Sequence, residues 1–145
     1  MKVQELMSKP VIRIMEDEPV SVAARTLTHY NIGSMPVCGA DGSVCGVITD
    51  RDIVTRCLAA QRSAEYTTVR DVMTKQVLSV TPETDVTQAA DLMARCQVRR
   101  LPVLSNGRLC GMVSLGDLAA SKKEIFSSKD VASVLQQITS NISVR

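Results

Sequence analysis

Hydrophobic and polar positions recur along this chain in one order, and the order is written twice. Val11-Ile12-Arg13-Ile14 and Val77-Leu78-Ser79-Val80 are short β-branched runs and predict strands. A stripe at i, i+3, i+4 and i+7 follows each: Val20, Ala23, Ala24 and Leu27, then Val86, Ala89, Ala90 and Met93, the apolar face of an amphipathic helix. Pro19 suits the first turn of one helix, and Thr84 or Asp85 the N-cap of the other. Strands at 35–38 and 44–48 around Gly39-Ala40-Asp41-Gly42 predict a hairpin, and 101–104 with 109–113 around Ser105-Asn106-Gly107 repeat it. A further helix starts near Asp52 in one copy and near Asp117 in the other.

The two copies align residue by residue. Val3-Gln4-Glu5-Leu6-Met7-Ser8 matches Val69-Arg70-Asp71-Val72-Met73-Thr74 at an offset of 66, which holds through Pro36-Val37 and Pro102-Val103. One deletion in the first hairpin turn changes the offset to 65, pairing Cys45-Gly46-Val47-Ile48-Thr49 with Cys110-Gly111-Met112-Val113-Ser114 and Asp52 with Asp117. The reading is an α+β protein of two tandem β-α-β-β-α motifs, 1–60 and 69–122, joined by a linker at 61–68. A unit of about 50 residues is marginal alone, so the two are expected to pack sheet to sheet with pseudo-two-fold symmetry. In the tail, 123–145, Val131, Val134, Leu135 and Ile138 make one more helical stripe after Ser127-Ser128-Lys129-Asp130, and its apolar face needs a partner in this chain or another subunit.

Composition narrows the function. The chain has 145 residues and a net charge of +2 from 17 basic and 15 acidic residues that are interspersed, so no basic stripe marks a nucleic-acid face. Tyr30, Tyr66 and Phe126 are the only aromatic residues, too few for a base-stacking platform. His29 is the one histidine, which leaves little room for a metal site or a nucleophile with its base. Cys38, Cys45, Cys57, Cys96 and Cys110 are odd in number and form no C-x-x-C pair, the pattern of reduced thiols. Met1-Lys2-Val3-Gln4-Glu5 carries no signal-peptide core and no apolar run approaches the ~18 residues of a membrane helix, so a cytoplasmic protein is expected.

The candidate chemistry lies where each hairpin ends: Gly46-Val47-Ile48-Thr49-Asp50-Arg51-Asp52 and Gly111-Met112-Val113-Ser114-Leu115-Gly116-Asp117. A strand running into a helix N-terminus presents a hydroxyl and a carboxylate together, and the carboxylate can accept from a vicinal diol such as ribose. Thr49 and Ser114 would equally serve as helix caps, with Asp52 and Asp117 stabilising the first turn.

With these motifs in order, the chain resembles a tandem pair of cystathionine-β-synthase (CBS) domains, a Bateman module, from about Val3 to Leu118. It resembles the small stand-alone CBS-pair proteins of prokaryotes. The resemblance implies a regulatory module, not an enzyme, with up to two clefts between the motifs for adenosine-containing ligands. These are AMP, ADP, ATP, or relatives such as S-adenosylmethionine or NAD. It implies that Asp52 with Thr49, and Asp117 with Ser114, hold ribose and the region near the phosphate. It also implies that Arg99 and Arg100, ahead of Leu101-Pro102, meet phosphate where the first copy has Gly33 and Ser34. Ile14 and Ile32, or Val80 and Val98, are candidate adenine walls that serve equally as core, and Thr81 is a candidate donor to base or ribose. A homodimer, and a protein that the module regulates, complete the expectation. The rival is a ligand-free structural or interaction dimer.

Overall fold

Two strand prolines and a set of turn residues decide where the elements begin and stop; the computed structural model describes residues 1–9, 11–121 and 128–139. The first repeat runs β1 (Ile14–Met15), α1 (Val20–Tyr30), β2 (Ser34–Cys38), β3 (Val44–Thr49) and α2 (Asp50–Asp52), which continues as a π-helical stretch, Ile53–Leu58. After α3 (Val69–Val72) the second repeat supplies α4 (Val86–Cys96), β4 (Arg100–Ser105), β5 (Arg108–Ser114) and α5 (Leu115–Ala119), and α6 spans Ser128–Thr139. The mixed α+β fold with two sheets is the expected one, and the tail stripe is helical over α6; positions 123–127 and 140–145 of the tail fall outside the described residues.

The opening strands are shorter than the runs at 11–14 and 77–80 suggest. β1 pairs in parallel with β2 only at Ile14 with Val37 and Met15 with Cys38, and the second copy keeps a single bridge, Val80 with Val103. The cause is proline. Val80 N donates to Pro102 O at 3.1 Å and Leu104 N to Val80 O at 2.8 Å, so the next rung would need an N–H from Pro102, which has none. Pro36 stands at the same place in β2. The repeat-matched helices α1 and α4 each end on a left-handed residue, Asn31 at φ 53° and Gln97 at φ 59°. Asp85 caps α4, accepting from Thr87 N, whereas Pro19 has no capping side chain. Carbonyls of the 61–68 segment replace it: Val20 N donates to Thr67 O and Ser21 N to Ala64 O.

Packing divides the chain elsewhere than the repeats do. One compact unit is Ile12–Val77, and the other joins Met1–Val11 to Leu78–Arg145. In the first unit Met35, Val37 and Ile48 form the core with Val69 and Val72 of α3, and Thr74 bridges Val47 through N–H···O bonds in both directions. In the second unit Val3 is fully buried against Leu101, Val103 and Leu118, and Ser8 bridges Met112. The glycines of the two motifs permit these bridges. A Cβ on Gly46 would lie 2.6 Å from Met73 Sδ, and one on Gly111 2.5 Å from Met7 Sδ. Val134 and Ile138 of α6 are buried in the second unit's core, where α6 packs on α4 and α5, so the tail stripe finds its partner in its own chain.

Candidate functional site

The closing motif of each repeat folds into a capping box. Thr49, extended at φ −118°, accepts from Asp52 N at 3.0 Å through its hydroxyl, while Asp52 Oδ2 accepts from Thr49 N at 3.1 Å. Ser114 and Asp117 do the same at 3.0 and 2.8 Å. The cap is therefore real, and it leaves each carboxylate with acceptor capacity to spare, because one oxygen is not used by the cap.

Strand pairing brings the cations to one of these ends. Arg100 sits opposite Ser114 in the β4–β5 ladder, and Leu115 N donates to Arg99 O at 2.8 Å. Arg99, Arg100, Ser114 and Asp117 thus share one corner of the second unit, with both arginines exposed. The first unit repeats the backbone geometry with other side chains: Ser34 opposite Thr49, and Asp50 N donating to Gly33 O at 2.9 Å.

The two carboxylates differ in surroundings. Asp52 is only 7% exposed. The Thr74 hydroxyl lies 3.2 Å from each of its oxygens, and Arg56 Nε is 3.9 Å from Oδ1 while Arg56 Nη1 donates to Val72 O and Met73 O. Asp117 is half-buried, and among the described residues its carboxylate accepts from Ser114 N alone. The residues matching Thr74 and Arg56 in the repeat are Ser8 and Ser121.

Val80 and Thr81 line a surface other than the Asp117 corner. Val80 is core, and exposed Thr81 is tied to Thr84, whose hydroxyl accepts from Thr81 N at 3.0 Å. Both line a surface groove of about 370 Å³ with Asp91 and Arg95, which none of the Asp117 corner residues lines. Ile14 belongs to the first unit's core, and Ile32 and Val98 are half-buried against the cores of their units.

Sequence reasoning missed three participants. Thr74 had a signal, a hydroxyl after Met in both copies (Ser8, Thr74). Asp50 had none, since its match is Leu115. The third is a cluster of Glu16, Cys45 and Arg70. The Cys45 thiol donates to Glu16 Oε2 at 3.0 Å, and Arg70 donates twice to Oε1 at 3.0 and 2.7 Å. The thiol hydrogen bond, then Arg70, holds the Glu16 carboxyl below its usual range, and burial, then Glu16, pushes Cys45 up to about 12. Among the described residues no three His, Cys, Asp or Glu side chains gather as a metal site, and no helix is long and apolar enough to cross a membrane.

Comparison with known proteins assigns the class. The CBS-domain family model matches residues 3–59 and 69–124, and the chain belongs to that family. It is 34% identical over 137 residues to the CBS domain-containing protein YhcV of Bacillus subtilis, covering 94% of each chain. A crystal structure of Hypoxic Response Protein I with two coordinated zinc ions superposes with a TM-score of 0.75 at 31% identity, covering 81% of this chain and 96% of that one. The CBS domain pair of protein MJ0100, solved with 5-methylthioadenosine and S-adenosyl-L-methionine, gives 0.71 at 27%, covering 81% and 92%.

Proposed function

We propose that this protein is a non-enzymatic cytoplasmic regulatory module that binds an adenosine-containing ligand at the corner formed by Arg99, Arg100, Ser114 and Asp117. The observation that carries the reading is the combination found there. A half-buried carboxylate with an uncommitted oxygen suits the ribose diol, and two exposed arginines on the adjoining strand end suit phosphate. The binding of two adenosyl compounds by the related MJ0100 pair supports the ligand class. AMP, ADP and ATP fit the arginines better than S-adenosylmethionine, whose charge near the sulfur is positive. Occupancy would tie the strand end of β4 to the start of α5 through one ligand, a change in local order that a regulated partner protein can read. Calorimetric titration with AMP, ADP, ATP, NAD and S-adenosylmethionine is the test: the phosphate-bearing ligands bind, and absence of binding by all five removes the reading.

A second reading, an interaction dimer, has its own observation. Val54 is 53% exposed and Leu58 72%, one turn apart on the π-helical stretch, whereas Leu118 of α5 is covered by its own unit. A homodimer through the first repeat's helices is compatible with ligand binding, and light scattering at micromolar concentration tests it.

A further inference from the structure

The two corners share a backbone and differ in charge. In the second unit the residue hydrogen-bonded beside Arg99 is Leu115, which is buried and brings no charge to the two arginines. In the first unit the residue beside Gly33 is Asp50, which is exposed. Its carboxylate occupies the space next to that glycine: a Cβ on Gly33 would stand 3.5 Å from Asp50 Oδ2, and Arg51 N fixes the other oxygen at 2.8 Å. The cations of this end do not reverse the balance. Arg56 is committed to the carbonyls of Val72 and Met73, and those residues adjoin Thr74, which pairs with the edge of β3 opposite to β2. Arg56 also answers Asp52, with Nε 3.9 Å from Oδ1, and Arg51 is left to answer Asp50. The corner that carries Arg99, Arg100 and Asp117 thus has one net positive charge, and its counterpart with Asp50, Arg51, Asp52 and Arg56 has none.

We propose that Asp50 is a specificity-determining residue: its carboxylate beside Gly33 bars phosphate-bearing ligands from the first repeat's corner, so each chain binds a single nucleotide, at Asp117. The inference rests on the function proposed above and adds to it a stoichiometry and the residue that sets it. A phosphate brought to Gly33 meets the Asp50 carboxylate at close range, where like charges repel and Gly33 and Ser34 stand in place of the two arginines. Glycine at 33 has an ordinary φ and room for a Cβ at van der Waals distance, so the arginine-bearing arrangement can be transplanted without strain.

The experiment is AMP titration by calorimetry on the full chain, the Asp50→Leu/Gly33→Arg variant, and Thr74→Val, each first checked for a cooperative melting transition without ligand. The wild-type chain takes one AMP per chain. The double variant, which copies Leu115 and Arg99 into the first repeat, takes a second AMP within about ten-fold of the affinity of the first. Asp50→Asn alone raises first-corner occupancy at high AMP and serves if the double variant does not fold. Two equivalent AMP sites in the wild type overturn the inference and leave the proposed function standing. No second site in a folded double variant, with one appearing in Thr74→Val, also overturns it, because the bar is then the Thr74–Asp52 clamp. A wild type that binds no AMP removes both.

Discussion

Asp52 and Asp117 occupy the same position in the same capping box, yet one is clamped and the other open. The clamp comes from two residues outside the motif, Thr74 and Arg56, and the openness from their replacement by Ser8 and Ser121. Duplication copied the backbone, while substitutions around it changed the surroundings: one carboxylate ties a helix start to the neighbouring segment, the other accepts from Ser114 N and keeps an oxygen outside the capping box. A motif shared by both copies therefore does not assign the same role to both.

The largest expected effect separates the corners by ligand. Arg100→Ala removes a charge-assisted hydrogen bond of about 1.5–3 kcal/mol and weakens AMP roughly ten- to hundred-fold, with adenosine nearly unchanged. Asp117→Ala weakens both, and equal losses for AMP and adenosine in Arg100→Ala would erase the assignment. Asp52→Ala acts on stability instead. It leaves the Thr74 hydroxyl and Arg56 without their buried acceptor, at a cost of about 1–3 kcal/mol in chemical denaturation, whereas Asp117→Ala costs less than that. The glycines sharpen the contrast further. Gly46→Ala meets not only Met73 but the Thr74 carbonyl at 2.8 Å, which cannot swing away, while the three atoms nearest a Cβ on Gly111 all belong to the Met7 side chain. The first is expected to cost about 1–3 kcal/mol and the second under about 1.

The smallest effect is a pH dependence from the Glu16–Cys45 contact, which the second unit does not repeat because Pro82 stands where the first has Glu16. Cys45, held at about 12 in the fold, ionises much lower in the unfolded chain, so its contribution is complete below the usual thiol range and is lost as pH rises toward 12. Glu16 has the opposite sign, its folded value being lowered: its contribution is present above the ordinary carboxylate range and lost as pH falls. Melting curves between pH 8 and pH 10.5 should show an alkaline loss that Cys45→Ala reduces, the buried Cys38 thiol, also raised, supplying part of the remainder.

Most of the secondary structure could be read from the sequence, because apolar periodicity and turn residues are local signals. The hairpin at Ser105-Asn106-Gly107 is an example, with Asn106 at φ 54° and Gly107 at φ 77° as its tight turn requires. The shortened opening strands were also legible in principle, through Pro36 and Pro102. What the sequence could not distinguish was which body each V-x-x-h-M segment joins. Met7 and Met73 carry the same signature, and Gly46 and Gly111 offer the same gap, so both pairings satisfy the pattern equally. The Glu16–Arg70 pair follows from that choice and has no repeat-matched echo, since the matching residues are Pro82 and Gln4. Of the corner, the arginines and the Ser114–Asp117 motif could be seen in advance, but the charge of Asp50 gained meaning only when the backbone placed it against Gly33.

Because Ile12–Val77 is continuous while its companion is assembled from Met1–Val11 and Leu78–Arg145, the inner unit is nested within the outer one along the chain. A polypeptide leaving the ribosome can finish the inner unit while Val3 and Met7 still wait for Leu101, Val103 and Leu118 to be made. At about 5–20 residues per second, that wait lasts on the order of seconds, with the leading segment's apolar side chains open to solvent or to a chaperone. Biogenesis thus starts in the middle of the sequence and closes on its beginning.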